Sequence, residues 1–449
     1  MNTPSKKSFL YKCTIVAAVG GFLFGYDTAV VSGAIGYMET YFTLDAAAKG
    51  WAASCALIGC MLGAMVAGML SDSWGRKKVL QLAALAFAVS SLGILIPMNF
   101  TGFILFRLIG GIGIGLASIL APLYISEIAP AESRGRLVSI YQLGIVIGIL
   151  VIYFVNAGIA SLNSEEWNTH TGWRWMFGSG LLPSVIFLLL LINVPESPRW
   201  LVQKNQIASA EAILLKINNA DVAAAELANI QAAIAEKQIS LSELWSTGFR
   251  KALIIGVILA ILSQITGINV IMYYAPEIFK QTGADTESSF MQTIIVGTIN
   301  FLMTLVAIRY VDRWGRKKLL LIGSLGMAIC LLIVGACFYY NIEQAWLLLV
   351  AILAYISFFA ISLGPLTFVV VSEIFPNPVR GRAMSVAIFF LWLSVYVVSQ
   401  TFPMLLESLG AAYTFWIYMI LSAVAFLFVV KFIPETKGKS LEEIEHLWR

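Results

Sequence analysis

Two charged side chains stand deep inside long apolar runs of this chain: Asp27, in "FGYDTAV", and Arg107, in "FRLIGGIGIG". A charge at the centre of a bilayer costs about 2.5–3.5 kcal/mol even on insertion scales, so each needs a reason to be there. A carboxylate and a guanidinium can neutralise each other as an ion pair. Parting them frees the carboxylate to take a proton, so the pair has the makings of a proton-operated switch; a static buried salt bridge is the plainer alternative. A second set is neutral and polar, again within apolar runs: Gln142, Asn156, Ser263, Gln264, Thr266, Asn269, Tyr273, Asn300 and Gln400. An amide carries both donor and acceptor, and so does a hydroxyl. The set therefore suits a ligand rich in hydroxyls, although any one member could simply bond two helices together. On a continuous helix Asn269 and Tyr273 share a face, and Gln264 stands about 140° away from them. "TGIN" offers a backbone break at Gly267, the kind of discontinuity a midplane site uses.

Other chemistries have no footing. The five cysteines (Cys13, Cys55, Cys60, Cys330, Cys337) lie in apolar runs without the spacing of a disulfide framework or a zinc site. His170 falls in an outer loop and His446 in the tail, so they form no ligand cluster with each other, and no nucleophile–base arrangement is evident. The glycines Gly110, Gly111, Gly113 and Gly115 look like a nucleotide fingerprint, but no strand precedes them; close helix packing explains them better. We expect no metal, no cofactor and no enzymatic activity.

The elements that must hold these residues follow from composition. The chain of 449 residues is 59% hydrophobic and 12% charged, against a usual charged share of about 25%. Its mean hydropathy is +0.85. Apolar runs of about 20 residues recur, each enough to cross a roughly 30 Å hydrocarbon core and too continuous for a lipid-facing β-barrel. The fold class expected is an all-α membrane protein of twelve transmembrane helices. All but four of the 29 Lys and Arg collect on one face; the exceptions are Lys49, Arg174 and Lys280 opposite, and Arg107 within a helix. That bias places both termini and the segment 195–250 in the cytoplasm. It also accounts for the net charge of +4 without invoking nucleic acid. Within 195–250, Ile207, Ala210, Ile213, Leu214 and Ile217 recur at helical spacing, so short amphipathic helices are expected against the membrane face.

The chain repeats itself. "DSWGRKK" (72–78) returns as "DRWGRKK" (312–318), "SEIAPAESRGR" (126–136) as "SEIFPNPVRGR" (372–382), and "PESPRW" (195–200) is echoed by "PETKGK" (434–439). Three motifs in the same order, each about 240 residues on, imply two parallel six-helix halves of one orientation. The expected layout is an N-terminal bundle over 1–194, a cytoplasmic linker over 195–250, a C-terminal bundle over 251–432 and a tail over 433–449. The repeated charges read as matched cytoplasmic gates: Asp72, Arg76, Glu127, Arg134 and Arg136 in the first half, Asp312, Arg316, Glu373, Arg380 and Arg382 in the second. Glu127 and Glu373 could pair with Arg136 and Arg382 or with arginines of neighbouring loops.

These residues resemble the sugar porters of the major facilitator superfamily. The signs are the loop Gly68, Asp72, Gly75, Arg76, Lys77, the "PESPRW" and "PETKG" pair, and "GINVIMYYAPEIF" (267–279). The resemblance covers essentially the whole chain and is nearest to proton-coupled xylose symporters, then to facilitative glucose transporters. It implies sugar contacts from Gln142, Gln264, Asn269, Tyr273 and Asn300, with Phe24, Gly364 and Trp392 lining the pocket, and proton coupling through Asp27 and Arg107. Four positions depart from the xylose-symporter pattern. Ser263, Ile149 and Leu391 stand where an amide is usual, and Phe368 where a tryptophan is common. The pocket should be less polar than that of the xylose symporters. The expectation is a proton-coupled monosaccharide symporter for a pentose or hexose, working as a monomer in a bacterial inner membrane. An uncoupled sugar or polyol facilitator and a non-cycling sugar sensor are the alternatives.

Overall fold

The structure, a computed structural model, describes residues 4–96, 99–130, 133–162, 164–235, 250–281, 283–342, 345–375, 380–435 and 437. Among them every regular element is a helix. Eleven helices are long and apolar enough to cross a membrane: Lys6–Phe42, Ala46–Trp74, Arg76–Leu95, Phe100–Ile128, Arg134–Leu162, Glu165–Ile192, Arg250–Lys280, Thr286–Tyr310, Arg316–Tyr339, Trp346–Ile374 and Arg382–Phe432. The first ten are the first to tenth spans. Arg382–Phe432 has 51 residues, about 76 Å at 1.5 Å per residue, more than twice the hydrocarbon thickness. It breaks at Gly410 (φ 79°, ψ 167°) into the eleventh and twelfth spans. The described residues thus hold twelve spans, each a helix that satisfies its own backbone in an apolar solvent.

Among the described residues four of these spans are broken in mid-course, the sixth at Ser179–Gly180 between Trp173–Gly178 and Leu181–Ile192. The first divides into Pro4–Ala29 and Val31–Phe42 around Val30. It is longer than its apolar core suggests and reaches beyond Gly36. The seventh divides into Arg250–Ile265 and Ile268–Lys280 at Gly267, whose φ of 94° lies in the left-handed region. The tenth divides at Ser362 into Ala345–Ile361 and Leu363–Ile374. Between the halves run three short helices, Pro198–Gln203, Ile207–Ile217 and Ala220–Ala235. Ala210, Ile213, Leu214 and Ile217 are the buried face of the middle one. Lys6 Nζ donates to Asn218 O at 2.6 Å and ties that helix end to the start of the first span. The remainder of the linker, 236–249, and most of the tail lie outside the described residues.

Packing divides the chain into two compact units. The first gathers the described residues of Met1–Asp27, Gly59–Ile149 and Phe177–Gln238. The second gathers those of Thr28–Ile58, Leu150–Met176 and Ile239–Arg449. The second unit thus takes in two segments from the first half of the sequence. Close contacts hold Thr28–Ile58 there: a Cβ on Gly36 would stand 2.6 Å from Glu277 Oε1, and Ser54 Oγ donates to Gln400 Oε1 at 2.8 Å.

Gly267 and Gly283 provide a test of backbone conformation against crowding. Both have positive φ, but a Cβ on Gly267 would meet the Tyr418 ring at 2.9 Å, whereas one on exposed Gly283 meets nothing. Gly283→Ala is expected to cost about 1 kcal/mol and Gly267→Ala about 2–3 kcal/mol. The check is the order of thermal midpoints of the purified proteins.

Candidate functional site

In the first unit, Arg107 Nη1 donates to Asp27 Oδ2 at 2.8 Å, and its Nη2 donates to the Asp27 backbone oxygen at 3.2 Å. Both residues are buried. The Arg107 guanidinium also lies over the Phe177 ring, 5.1 Å from its centroid, a favourable place for a cation. Each charge therefore meets its counter-charge away from lipid. The helices Pro4–Ala29 and Phe100–Ile128 carry the two residues and bring them within hydrogen-bond distance. Glycines permit the close approach around them. A Cβ on Gly110 would stand 2.6 Å from Ser90 Oγ, and one on Gly25 would collide with the Ile145 carbonyl.

The neutral polar residues are shared between the units. Phe24 and Gln142, both half-buried, belong to the first. The second holds Ser263, Gln264, Asn269, Tyr273, Asn300, Gly364, Phe368 and Trp392. Ser263 Oγ donates to Ala260 O at 2.7 Å and accepts from Gln264 Nε2 at 3.2 Å. Asn269 Nδ2 donates to Gln264 Oε1 at 2.8 Å. Here the geometry departs from a continuous helix, on which Gln264 and Asn269 would point about 140° apart. Gly267 breaks the seventh span between them, and the two amides meet. Tyr355 OH donates to Thr266 O at 2.9 Å and so satisfies a carbonyl exposed by that break. Tyr273, Asn300 and Trp392 are buried, and Phe368 is exposed. A separate cleft of about 310 Å³ in the second unit is lined by Glu39, Lys49, Tyr274, Glu277 and Glu407 among others; none of the candidate ligand residues lines it.

The repeated charges form two similar clusters. In the first unit Arg76 makes a forked pair with Glu127, Nε to Oε2 and Nη2 to Oε1, both 2.9 Å. Its Nη1 reaches Asp72 Oδ1 at 3.2 Å. In the second unit Arg316 Nη2 donates to Glu373 Oε1 at 3.1 Å. The acids thus pair with the arginine of the "GRKK" loop, the neighbouring-loop option. Arg134 pairs with Glu226 of the linker at 3.9 Å instead. Arg136 is exposed, and Arg382 is half-buried. The side chains of Asp312 and Arg380 lie outside the described residues.

Two further carboxylates complete the clusters, and sequence reasoning did not assign them. Glu196 Oε1 accepts from Arg76 N at 2.9 Å, and its two oxygens accept from Lys77 N, each at 3.2 Å. Glu435 accepts from Arg316 N at 2.9 Å and Lys317 N at 3.2 Å. Each sits on the N-terminus of a helix, where unpaired N–H groups favour an anion. Burial pushes the Glu196 carboxyl up, while the N–H donors around it pull it back. Gly75 (φ 96°) and Gly315 (φ 86°) clear the space, since a Cβ on either would run into the acid. The available signal was the acid repeated in "PES" and "PET" beside a repeated "GRKK".

The family described as "Sugar (and other) transporter" matches residues 13–448. The arabinose-proton symporter of Bacillus subtilis (strain 168) is 44% identical over 100% of this chain and 97% of its own length. The D-xylose-proton symporter of Escherichia coli (strain K12) is 42% identical over 100% of this chain and 97% of its own. The inward open conformation of the xylose transporter XylE from E. coli superimposes with a TM-score of 0.88 at 40% identity, covering 98% of this chain and 100% of that one.

The first charge cluster predicts a clear contrast. The Glu127 side chain is 4% exposed and that of Asp72 57%, although both contact Arg76. Glu127→Gln strands a buried guanidinium and is expected to cost about 3 kcal/mol. Asp72→Asn is expected to cost under about 1 kcal/mol. Thermal unfolding of the purified variants measures both.

Proposed function

The chain belongs to the sugar transporter family, and from that premise we propose that it is a proton-coupled monosaccharide symporter, an integral membrane transporter and not an enzyme. The substrate is a pentose or hexose. The halves 1–194 and 251–432 are the bodies that rock in alternating access. Both termini and the linker are cytoplasmic, in a bacterial inner membrane, and the monomer is the working unit, with sugar, proton and lipid as its partners and no nucleic acid among them. The observation that carries this reading is the buried Asp27–Arg107 pair at 2.8 Å.

The mechanism follows from charge balance. While the pair is intact, the two charges cancel and the first and fourth spans are tied together. A proton on Asp27 leaves a neutral carboxyl, which holds the guanidinium far less strongly, and the spans can part. Ser263, Gln264, Asn269, Tyr273 and Asn300 of the second half, with Phe24, Gln142, Gly364, Phe368 and Trp392, bind the sugar. The Gln264–Asn269 hydrogen bond preorganises two amides before the ligand arrives. The departures at Ile149, Ser263, Phe368 and Leu391 leave fewer polar groups to discriminate one hydroxyl pattern from another. The Arg76–Glu127 and Arg316–Glu373 pairs are the cytoplasmic latches, made in one state and released in the other.

Two measurements test this. Asp27→Asn in proteoliposomes should keep counterflow of labelled D-xylose, L-arabinose or D-glucose within about three-fold, and lose uphill accumulation under an inward proton gradient. Undiminished accumulation by the variant removes Asp27 from coupling, and wild-type uptake indifferent to the gradient establishes the uncoupled facilitator. Asn269→Ala should raise the half-saturating sugar concentration about ten-fold or more, through loss of its own contact and of the orientation of Gln264.

A further inference from the structure

In an unbroken helix the Met272 carbonyl accepts from the N–H of residue 276. That residue is Pro276, inside the helix Ile268–Lys280, and proline has no N–H to give. A side chain from another span fills the gap. Tyr153 OH, of the fifth span, donates to Met272 O at 2.7 Å. Tyr153 is 1% exposed, so water does not supply this hydrogen bond. Its ring has a place made for it: a Cβ on Gly297 of the eighth span would stand 2.8 Å from Tyr153 Cδ2.

The same arrangement occurs a second time in this unit. Pro403 lies inside the eleventh span and leaves the Ser399 carbonyl without its helical donor. Tyr274 OH donates to that carbonyl at 3.1 Å. Two internal prolines each have a buried tyrosine hydroxyl on the carbonyl four residues back. Met272 lies between Asn269 and Tyr273, so an anchor on its carbonyl fixes the rotation of the half-helix that presents both.

We propose that Tyr153 is a positioning residue for substrate binding: its hydroxyl replaces the hydrogen bond that Pro276 removes and so holds Asn269 and Tyr273 in register for the sugar. The inference rests on the transport reading above. It differs from a packing role for Tyr153, in which phenylalanine would serve equally well.

A double substitution separates the two. Pro276→Ala returns an N–H to the helix, and Met272 O then has its ordinary donor. With full-length protein in liposomes and labelled D-xylose counterflow, Tyr153→Phe should raise the half-saturating concentration about five- to ten-fold, with the maximal rate within about two-fold. In the Pro276→Ala background the same change should move it by less than about two-fold. An equal effect in both backgrounds, or none in the first, overturns the proposal. Backbone hydrogen exchange over residues 268–280 is an independent readout that needs no substrate. It should quicken on Tyr153→Phe while Pro276 is present, and unchanged exchange overturns the anchor. This second readout decides the matter if Pro276→Ala does not fold. It also decides it if wild-type protein exchanges none of D-xylose, L-arabinose and D-glucose, a result that by itself counts only against the transport reading.

Discussion

A backbone carbonyl inside hydrocarbon must find a donor within the protein, because the solvent offers none and an unmet group costs several kcal/mol. An intact helix meets that demand automatically. This chain gives up the guarantee at several places, and the rest of its architecture answers for them. Gly267 opens the seventh span, and Tyr355 covers Thr266 O. Pro276 and Pro403 each delete a donor, and Tyr153 and Tyr274 replace it. At the break of the first span, Asn156 Nδ2 donates to Val30 O at 3.2 Å and joins Gly33 N, which donates to the same oxygen at 3.3 Å. At these positions the side-chain donor comes from a different span, whereas at the break of the tenth span Ser362 Oγ donates within its own span to Phe358 O. Where the donor belongs to another span, a rearrangement of spans can release it, which no internal helical bond allows.

The same constraint governs charge. Asp27 and Arg107 are tolerable in an apolar setting because each gives the other a counter-ion at 2.8 Å, and the aspartate backbone oxygen takes a second guanidinium N–H. Neutralising one member changes the balance for both, so a single proton can alter the contact between two spans. At the helix ends the problem is milder, and the solution is more elaborate. Glu196 and Glu435 each cap a helix N-terminus, and Glu127 and Glu373 each take the arginine that follows.

Repetition in sequence has not meant identity in strength. The Arg76–Glu127 side chains are 7% and 4% exposed, those of Arg316 and Glu373 14% and 22%. The first pair carries a fork of two 2.9 Å bonds. The more exposed pair is better screened by water and contributes less. The two ion pairs thus differ in burial, although their loops differ by a single residue over "DSWGRKK" and "DRWGRKK".

The sequence by itself determined how many times the chain crosses the bilayer, the two-fold repeat, the linker helices and the identity of the groups out of place in lipid. Hydropathy, charge and repeated strings are local properties, and reading them needs no knowledge of neighbours. The amides of the seventh span were legible too, but their meeting was not. A 140° separation became a 2.8 Å hydrogen bond because one glycine left the helical region. Glu196 and Glu435 were visible as a repeated letter and acquired a role only when the chain returned some 120 residues later to the helix they cap. Tyr153, 119 residues from Met272, gave no signal beyond an aromatic in an apolar run. Which donor reaches which acceptor was left to the tertiary structure, because partners so distant along the chain meet only once the spans have packed.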